Sequence, residues 1–232
     1  TLATILRGQP AYLSQYCSIV CVTSPGPMLE KVKEHESVNI LEVPMNRGIS
    51  PFRDLASIYR MWKVLRRVKP DVVHSYTPKA GLVTMLAAFL AGVRVRVHTF
   101  TGLLFPTSVG FKRKLLVAID RLICAAATTV VPEGEGVAAD LRADRITSKP
   151  LRVIGNGNIA GVDIQYFRPD ACIPLQHGGS GSFTFCFVGR LNRDKGLQEL
   201  VSAFTSLEGG ATLLLVGELD ATAPVDEVTL DH

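Results

Sequence analysis

The sequence is short of several things at once, and each shortage closes off a class of protein. Its five cysteines (Cys17, Cys21, Cys124, Cys172 and Cys186) are an odd number without metal-ligand spacing. That argues against a disulfide scaffold and a zinc site, and for reduced, unreactive thiols. Charge is scarce and nearly balanced: 25 Lys and Arg against 21 Asp and Glu leave +4. Such a balance suits an anionic ligand but is too weak for a nucleic-acid binder. Aromatics make up 7% of the chain and do not interleave with a basic stripe. No apolar run reaches the roughly 20 residues of a bilayer span. The nearest, Ala80 to Ala91, is bounded by Gly81 and Gly92 and reads as a buried helix.

What the chain does have is strand and helix in alternation. Leu2 to Tyr16 reads as a helix, and Cys17 to Thr23 as a β-rich run stopped by Ser24-Pro25-Gly26-Pro27. Met28 to His35 and Val38 to Val43 repeat the pair. Ser50 and Pro51 open a long helix in which Phe52, Leu55, Ile58, Trp62 and Leu65 form an apolar stripe. Arg53, Arg60, Lys63 and Arg67 fall off that stripe, and Lys69-Pro70 closes the helix. Strand Val72 to His74, the apolar helix, strand Val93 to Thr99 and helix Phe111 to Ala126 follow. Strand Thr128 to Val131, helix Gly136 to Leu141 and strand Leu151 to Ile154 complete the first series. Repetition of this kind favours a parallel sheet with helices on both faces.

Residues 169–182 (PDACIPLQHGGSGS) break the rhythm with Pro, Gly and Ser, as a linker does. Strand Phe183 to Val188, helix Gly196 to Leu207 and strand Ala211 to Val216 then restart it. The expected organisation is a first Rossmann-like domain over 1–168, a linker over 169–182, and the start of a second such domain over 183–232. An open α/β sheet has more strands than the second series supplies, and the first series opens on a helix. Further sheet is therefore expected on both sides of these residues in a longer parent.

One segment carries chemistry on its face. In FVGRLNRDKG, Phe187 to Gly196, an apolar strand ends at Gly189, and Arg190 and Lys195 project from the strand end and the next helix start. Ligands of open α/β sheets bind beyond the carboxyl ends of the strands. A helix start adds free N–H groups and partial positive charge. An Arg fork beside a Lys point charge suits a nucleoside diphosphate; a solvated loop with two cations is the plain alternative.

FVGRLNRDKGLQELVSAF resembles the opening of the second domain of retaining family-4 glycosyltransferases, which have the GT-B fold. PDVVHSYTPKAGLVTMLAA from Pro70, VRVRVHTFTG from Val93, GNGNIAGVDIQYFRP from Gly155 and LLLVGELD from Leu213 resemble further family segments in the expected order. The likeness spans nearly the whole chain. It is nearest to the bacterial surface-polysaccharide subgroup that acts on polyprenyl-diphosphate-linked sugars. It implies an α/β, GT-B-like chain of two Rossmann-like domains with parallel sheets, the second truncated. It implies transfer, with retention, of a sugar from a UDP-sugar or similar nucleotide-sugar to a polyprenyl-diphosphate-linked acceptor. No cofactor and no metal are expected, since Arg, Lys and helix dipoles take the metal's place.

The resemblance assigns Gly189, Arg190 and Lys195 to the donor diphosphate, and Gly217 and Glu218 to the vicinity of the base or ribose. It gives His98 a functional role: ending its strand, it is expected to face the interdomain cleft and position the sugar. His74, Thr77, Thr99 and Thr101 are expected on the acceptor side of that cleft. The family's first strand and its late paired-Glu segment have no match, so these residues alone are expected to be inactive. Glu133 and Glu135 read as solvated, helix-capping carboxylates rather than an acid/base pair. The run from Gly102 to Leu116 sets apolar residues beside three cations. Two readings of it stand side by side: contact of a cytoplasmic protein with the inner face of a membrane through Leu103, Phe105, Lys112, Arg113 and Lys114, or an ordinary active-site loop followed by a solvated helix start. Two rivals stay open: a sugar-nucleotide epimerase of the same architecture, and a non-catalytic scaffold relative.

Overall fold

The computed structural model describes residues 2–46, 48, 50–168, 170, 183–207 and 209–219. The chain divides into two compact units, Thr1–Val162 and Asp163–His232. At the division the Asp163 carboxylate accepts the N–H groups of Gln165 and Tyr166, at 3.0 and 3.1 Å, and starts a tight turn. The linker expected over 169–182, with Cys172, lies outside the described residues except for Asp170, as does everything from 220 onward.

The first unit runs α1 (Gln9–Leu13), β1 (Val20–Thr23), α2 (Leu29–Glu36), β2 (Asn39–Glu42), α3 (Pro51–Val68), β3 (Val72–Tyr76), α4 (Pro78–Leu90), β4 (Val95–Phe100), α5 (Gly110–Ala126), β5 (Thr129–Pro132) and α6 (Glu135–Ala143). Pairing is parallel throughout, β1 with β2 and β3–β4–β5 in chain order. Two expected elements shrink most, while the first two strands and the last helix lose residues at their ends. The helix expected from Leu2 is confined to α1, because Pro10 has no N–H with which to continue an earlier turn. The strand expected from Leu151 is reduced to one bridge, Leu151 to Val130, before Gly155 turns the chain at φ 59°.

α3 begins after Ser50 with Pro51 in its first turn, yet the Ser50 hydroxyl does not cap it. Asp54 reaches back instead to the Ser50 N–H at 3.3 Å. The same carboxylate holds Lys79 Nζ at 2.6 Å, tying the start of α3 to the start of α4. Ser57 Oγ donates to Pro44 O at 2.8 Å. Together these fix the helix's rotation: Asp54, Ser57, Met61 and Leu65 turn inward, while Phe52 is 88% and Leu55 64% exposed. The apolar stripe was read correctly at Ile58, Trp62 and Leu65, which face the core, and wrongly at Phe52 and Leu55. Asp54→Asn is expected to cost about 1–3 kcal/mol in urea unfolding, since it leaves a half-buried ammonium without its counter-charge. Adding Lys79→Met should restore much of that loss.

α4 packs between α3 and α5 and is closed in on nearly every side, with Val83, Met85, Ala87 and Ala88 at 0% exposure. Among the described residues no helix is long and apolar enough to cross a membrane.

In the second unit β6 (Phe183–Val188) and β7 (Ala211–Val216) pair in parallel, Phe183 opposite Ala211 through Val188 opposite Val216. A 3-10 turn over Arg193–Lys195 leads into α7 (Leu197–Thr205). Leu197 and Val201 of α7 bury onto Phe187, Leu191, Leu213 and Leu215.

Candidate functional site

The edge where β6 and β7 end holds the residues expected to grip the donor. Gly189 N–H donates to Val216 O at 3.0 Å and Leu191 N–H to Glu218 O at 2.9 Å, so the ladder continues past both strands. Between those bonds Gly217 lies directly on Gly189: a Cβ at 217 would stand 1.7 Å from Gly189 O. Only a residue without a side chain fits. Gly196 closes the 3-10 turn at φ 71°, and α7 starts from it. Arg190, Arg193 and Lys195 are exposed along this turn, while Asn192 among them is 1% exposed. Glu218 gives its carbonyl to Leu191 and keeps its side chain exposed. Cations and helix-start N–H groups at a strand edge suit a bound polyphosphate. Arg193 was passed over in the sequence, although it sits in the same loop.

In the first unit His74 and His98 fall on opposite faces of the sheet. His98 pairs across from Ser75 and is 0% exposed, its Nδ1 2.8 Å from Ser75 Oγ and its ring edge-on to Phe100. The expectation that it faces a cleft is therefore corrected. Gly81 of α4 supplies the reason: the imidazole fills the space of a side chain there, its Cε1 2.4 Å from where a Cβ would be. His98 Nε2 meets no hydrogen-bond partner among the described residues. Burial, then the neighbouring His74, lower its pKa to about 3, with the Ser75 contact opposing, so the ring is neutral. An isolated glycine inside an apolar helix pattern was the sequence signal for this contact.

His74 lies on the other face, its Nε2 2.7 Å from Thr99 Oγ1 and its Nδ1 3.1 Å from the Tyr76 hydroxyl. That hydroxyl donates to Gln9 Oε1 at 3.3 Å, which leaves the proton of His74 on Nδ1 and Thr99 donating to Nε2. Burial lowers His74 to about 4, although part of the ring is exposed. Thr99, expected toward an acceptor, is 5% exposed and turned onto His74 instead. Thr77 and Thr101 do stand half-buried at the carboxyl edge. Thr77 holds φ 67° and ψ 147°, a region that suits glycine and costs other residues about 1–3 kcal/mol.

Glu133 joins them at the end of β5. Its N–H donates to Phe100 O at 3.0 Å, its carbonyl accepts Asn158 N–H at 2.6 Å, and Oε1 is 3.9 Å from the Cβ position of Gly102. Burial raises its carboxyl pKa. The solvated reading fits Glu135, whose side chain is 78% exposed, better than Glu133. The membrane contacts also need correction. Phe105 is 0% exposed under the Arg113 guanidinium, and Arg113 pairs with Asp144. Leu103 packs against the core, whereas Lys112 and Lys114 are exposed. Among the described residues no cluster of His, Cys, Asp and Glu could hold a metal.

Two buried ionisable groups tilt stability in opposite directions. His98, depressed from 6.5 to about 3, contributes stability that is present above 6.5 and lost as pH falls. Asp120 of α5, 5% exposed, is pushed by burial from 3.8 to about 7; its contribution is present below 3.8 and lost as pH rises. Between those values the two slopes oppose. Relative to the parent protein, Asp120→Asn should make stability climb with pH and His98→Asn should make it fall, each by up to ~1.4 kcal/mol per pH unit. Urea unfolding across that range measures both, and slopes that change the same way in the two variants would contradict the assignment.

The chain resembles known proteins along most of its length. The model of the glycosyl transferase 4-like domain matches residues 17–157. The Staphylococcus aureus capsular polysaccharide biosynthesis glycosyltransferase CapM is 28% identical over 231 residues, covering 96% of this chain and 60% of the relative. The Escherichia coli UDP-Gal:alpha-D-GlcNAc-diphosphoundecaprenol alpha-1,3-galactosyltransferase is 30% identical over 182 residues, covering 75% of this chain and 45% of the relative. The crystal structure of Anabaena Alr3699/HepE in complex with UDP and glucose superposes with a TM-score of 0.69 at 17% identity, over 96% of this chain and 59% of that one. The chain thus spans 45 to 60% of the length of these relatives.

Proposed function

Because the chain belongs to the glycosyl transferase 4-like family, we propose that it serves transfer of a sugar from a UDP-sugar to a polyprenyl-diphosphate-linked saccharide, with retention, at the inner face of a membrane. The observation that carries the donor half is the turn that follows the Gly189–Gly217 contact, along which Arg190, Arg193 and Lys195 are all exposed. As the bond from the anomeric carbon to the diphosphate oxygen breaks, charge grows on the departing diphosphate. Cations fixed beforehand at that point stabilise this state more than the intact donor. The acceptor hydroxyl attacks from the face the diphosphate leaves, and its proton passes to the departing oxygen. No metal enters this scheme. Gly217 and Glu218 flank the nucleoside, and Thr77 and Thr101 serve the acceptor side. His98 works from behind, as a positioning residue that supports the turn from β3 into α4. The names of the Escherichia coli and Staphylococcus aureus relatives support the lipid-linked acceptor and the capsular setting.

Incubating the protein with UDP-sugars and a polyprenyl-diphosphate-linked saccharide, with the product's anomeric signals read by NMR, tests this. An elongated acceptor with the donor's configuration supports it. An inverted linkage, or an epimerised free sugar with the acceptor untouched, contradicts it.

A further inference from the structure

The geometry points to Thr77 as the residue that reads a hydroxyl of the acceptor's saccharide, from a strained backbone that the fold does not itself require. That role rests on the acceptor half of the proposed function and names the part of the acceptor that is recognised. Thr77 holds φ 67° and ψ 147° between the end of β3 and Pro78. Pro78 accounts for the ψ, since a residue before proline is pushed to roughly 120–160°. It does not account for the φ, which is an outlier for a β-branched residue. Ser37 and Lys69 also have positive φ, but both close helices in the left-handed helical region, where helices commonly end. Thr77 lies outside that region.

Such a conformation persists only where its flanks over-determine it. Here both do. Ahead of it, Ser75 Oγ is 2.8 Å from His98 Nδ1 on one face of the sheet. On the other face the Tyr76 hydroxyl meets His74 Nδ1 at 3.1 Å and Gln9 Oε1 at 3.3 Å. Behind it, Thr77 O accepts the Gly81 N–H at 2.8 Å. The Asp54–Lys79 pair and the buried Val83 and Met85 fix the helix that follows.

Glycine would make this turn at lower cost, so what threonine adds is its side chain. The hydroxyl does not cap α4, and among the described residues it has no hydrogen-bond partner. It stands half-buried at the carboxyl edge, where ligands of parallel sheets bind. Thr101 is half-buried too, two residues beyond Thr99, the partner of Tyr76 in the ladder. Lys79 nearby is already paired with Asp54. Uncharged hydroxyls suit the hydroxyls of a sugar, whereas a diphosphate calls for free cations.

Calorimetric binding of two lipids tests this: a short-chain prenyl-diphosphate-linked N-acetylhexosamine, and the same prenyl diphosphate without sugar. Thr77→Gly should weaken the first about tenfold, by loss of one hydrogen bond, and leave the second unchanged. In urea the same variant should unfold at a higher midpoint, because relief of strain outweighs the freedom glycine adds to the unfolded chain. Thr77→Ser keeps the hydroxyl and should keep the affinity. A lowered midpoint for Thr77→Gly would overturn the strain. Equal loss on both lipids, no loss on the sugar-linked one, or as large a loss in Thr77→Ser would overturn the recognition. A parent protein that binds neither lipid would remove the acceptor half of the proposed function, and this role with it.

Discussion

Gly217→Ala is expected to open the ligand edge of the second unit, at a cost of about 3 kcal/mol or more. The added methyl would stand 1.7 Å from Gly189 O, a backbone atom that no rotamer change can move aside. The glycine is needed for space, not for an unusual conformation. Relief requires the ends of β6 and β7 to part, which breaks the bonds from Gly189 N–H to Val216 O and from Leu191 N–H to Glu218 O. The small cluster around Leu197 and Val201 has little packing with which to absorb that strain. Hydrogen exchange at Gly189 and Leu191 should lose its protection, and UDP affinity should fall with it. Exchange as slow as in the parent protein would show that the close approach is not required.

Gly81→Ala carries the second large effect, and its sign depends on a neighbour. In a helix interior alanine is favoured over glycine by about 1 kcal/mol. Here the new Cβ would meet His98 Cε1 at 2.4 Å, in a core where the ring is 0% exposed and has nowhere to go. The substitution should therefore cost about 2–4 kcal/mol in the parent chain. In a His98→Ala background the same change should be neutral or stabilising by about 1 kcal/mol. Urea unfolding of the four proteins closes the cycle, and a coupling near zero would refute the packing of this pair.

Sequence patterns showed where elements lie more clearly than which way they face. β6 and β7 match their expected bounds residue for residue, because each is an apolar run with glycine just beyond its end. Arg190 and Lys195 could be placed for the same reason: Gly189 marks the strand end from which they follow. His98 could not, since a residue near a strand end points to either face according to the pleat. Gly81, on another element, settles which face has room. The first turns of α3 failed similarly. Asp54 satisfied both Ser50 and Lys79 only by turning inward, and this carried Phe52 and Leu55 outward against their hydrophobicity. Phe105, in a stretch of Gly, Pro and Ser, looked exposed and is instead sealed beneath Arg113. Such contacts join residues far apart in the chain, and periodicity within one element does not record them.

The account rests on polyphosphate recognition at the β6–β7 edge, and calorimetric titration with UDP measures it most directly. Arg190→Ala should weaken binding about tenfold or more, through loss of a charge-assisted contact. Lys195→Ala should do likewise, whereas Lys112→Ala, in the other unit, should leave the affinity unchanged. UDP bound as tightly by Arg190→Ala as by the parent protein would contradict the claim.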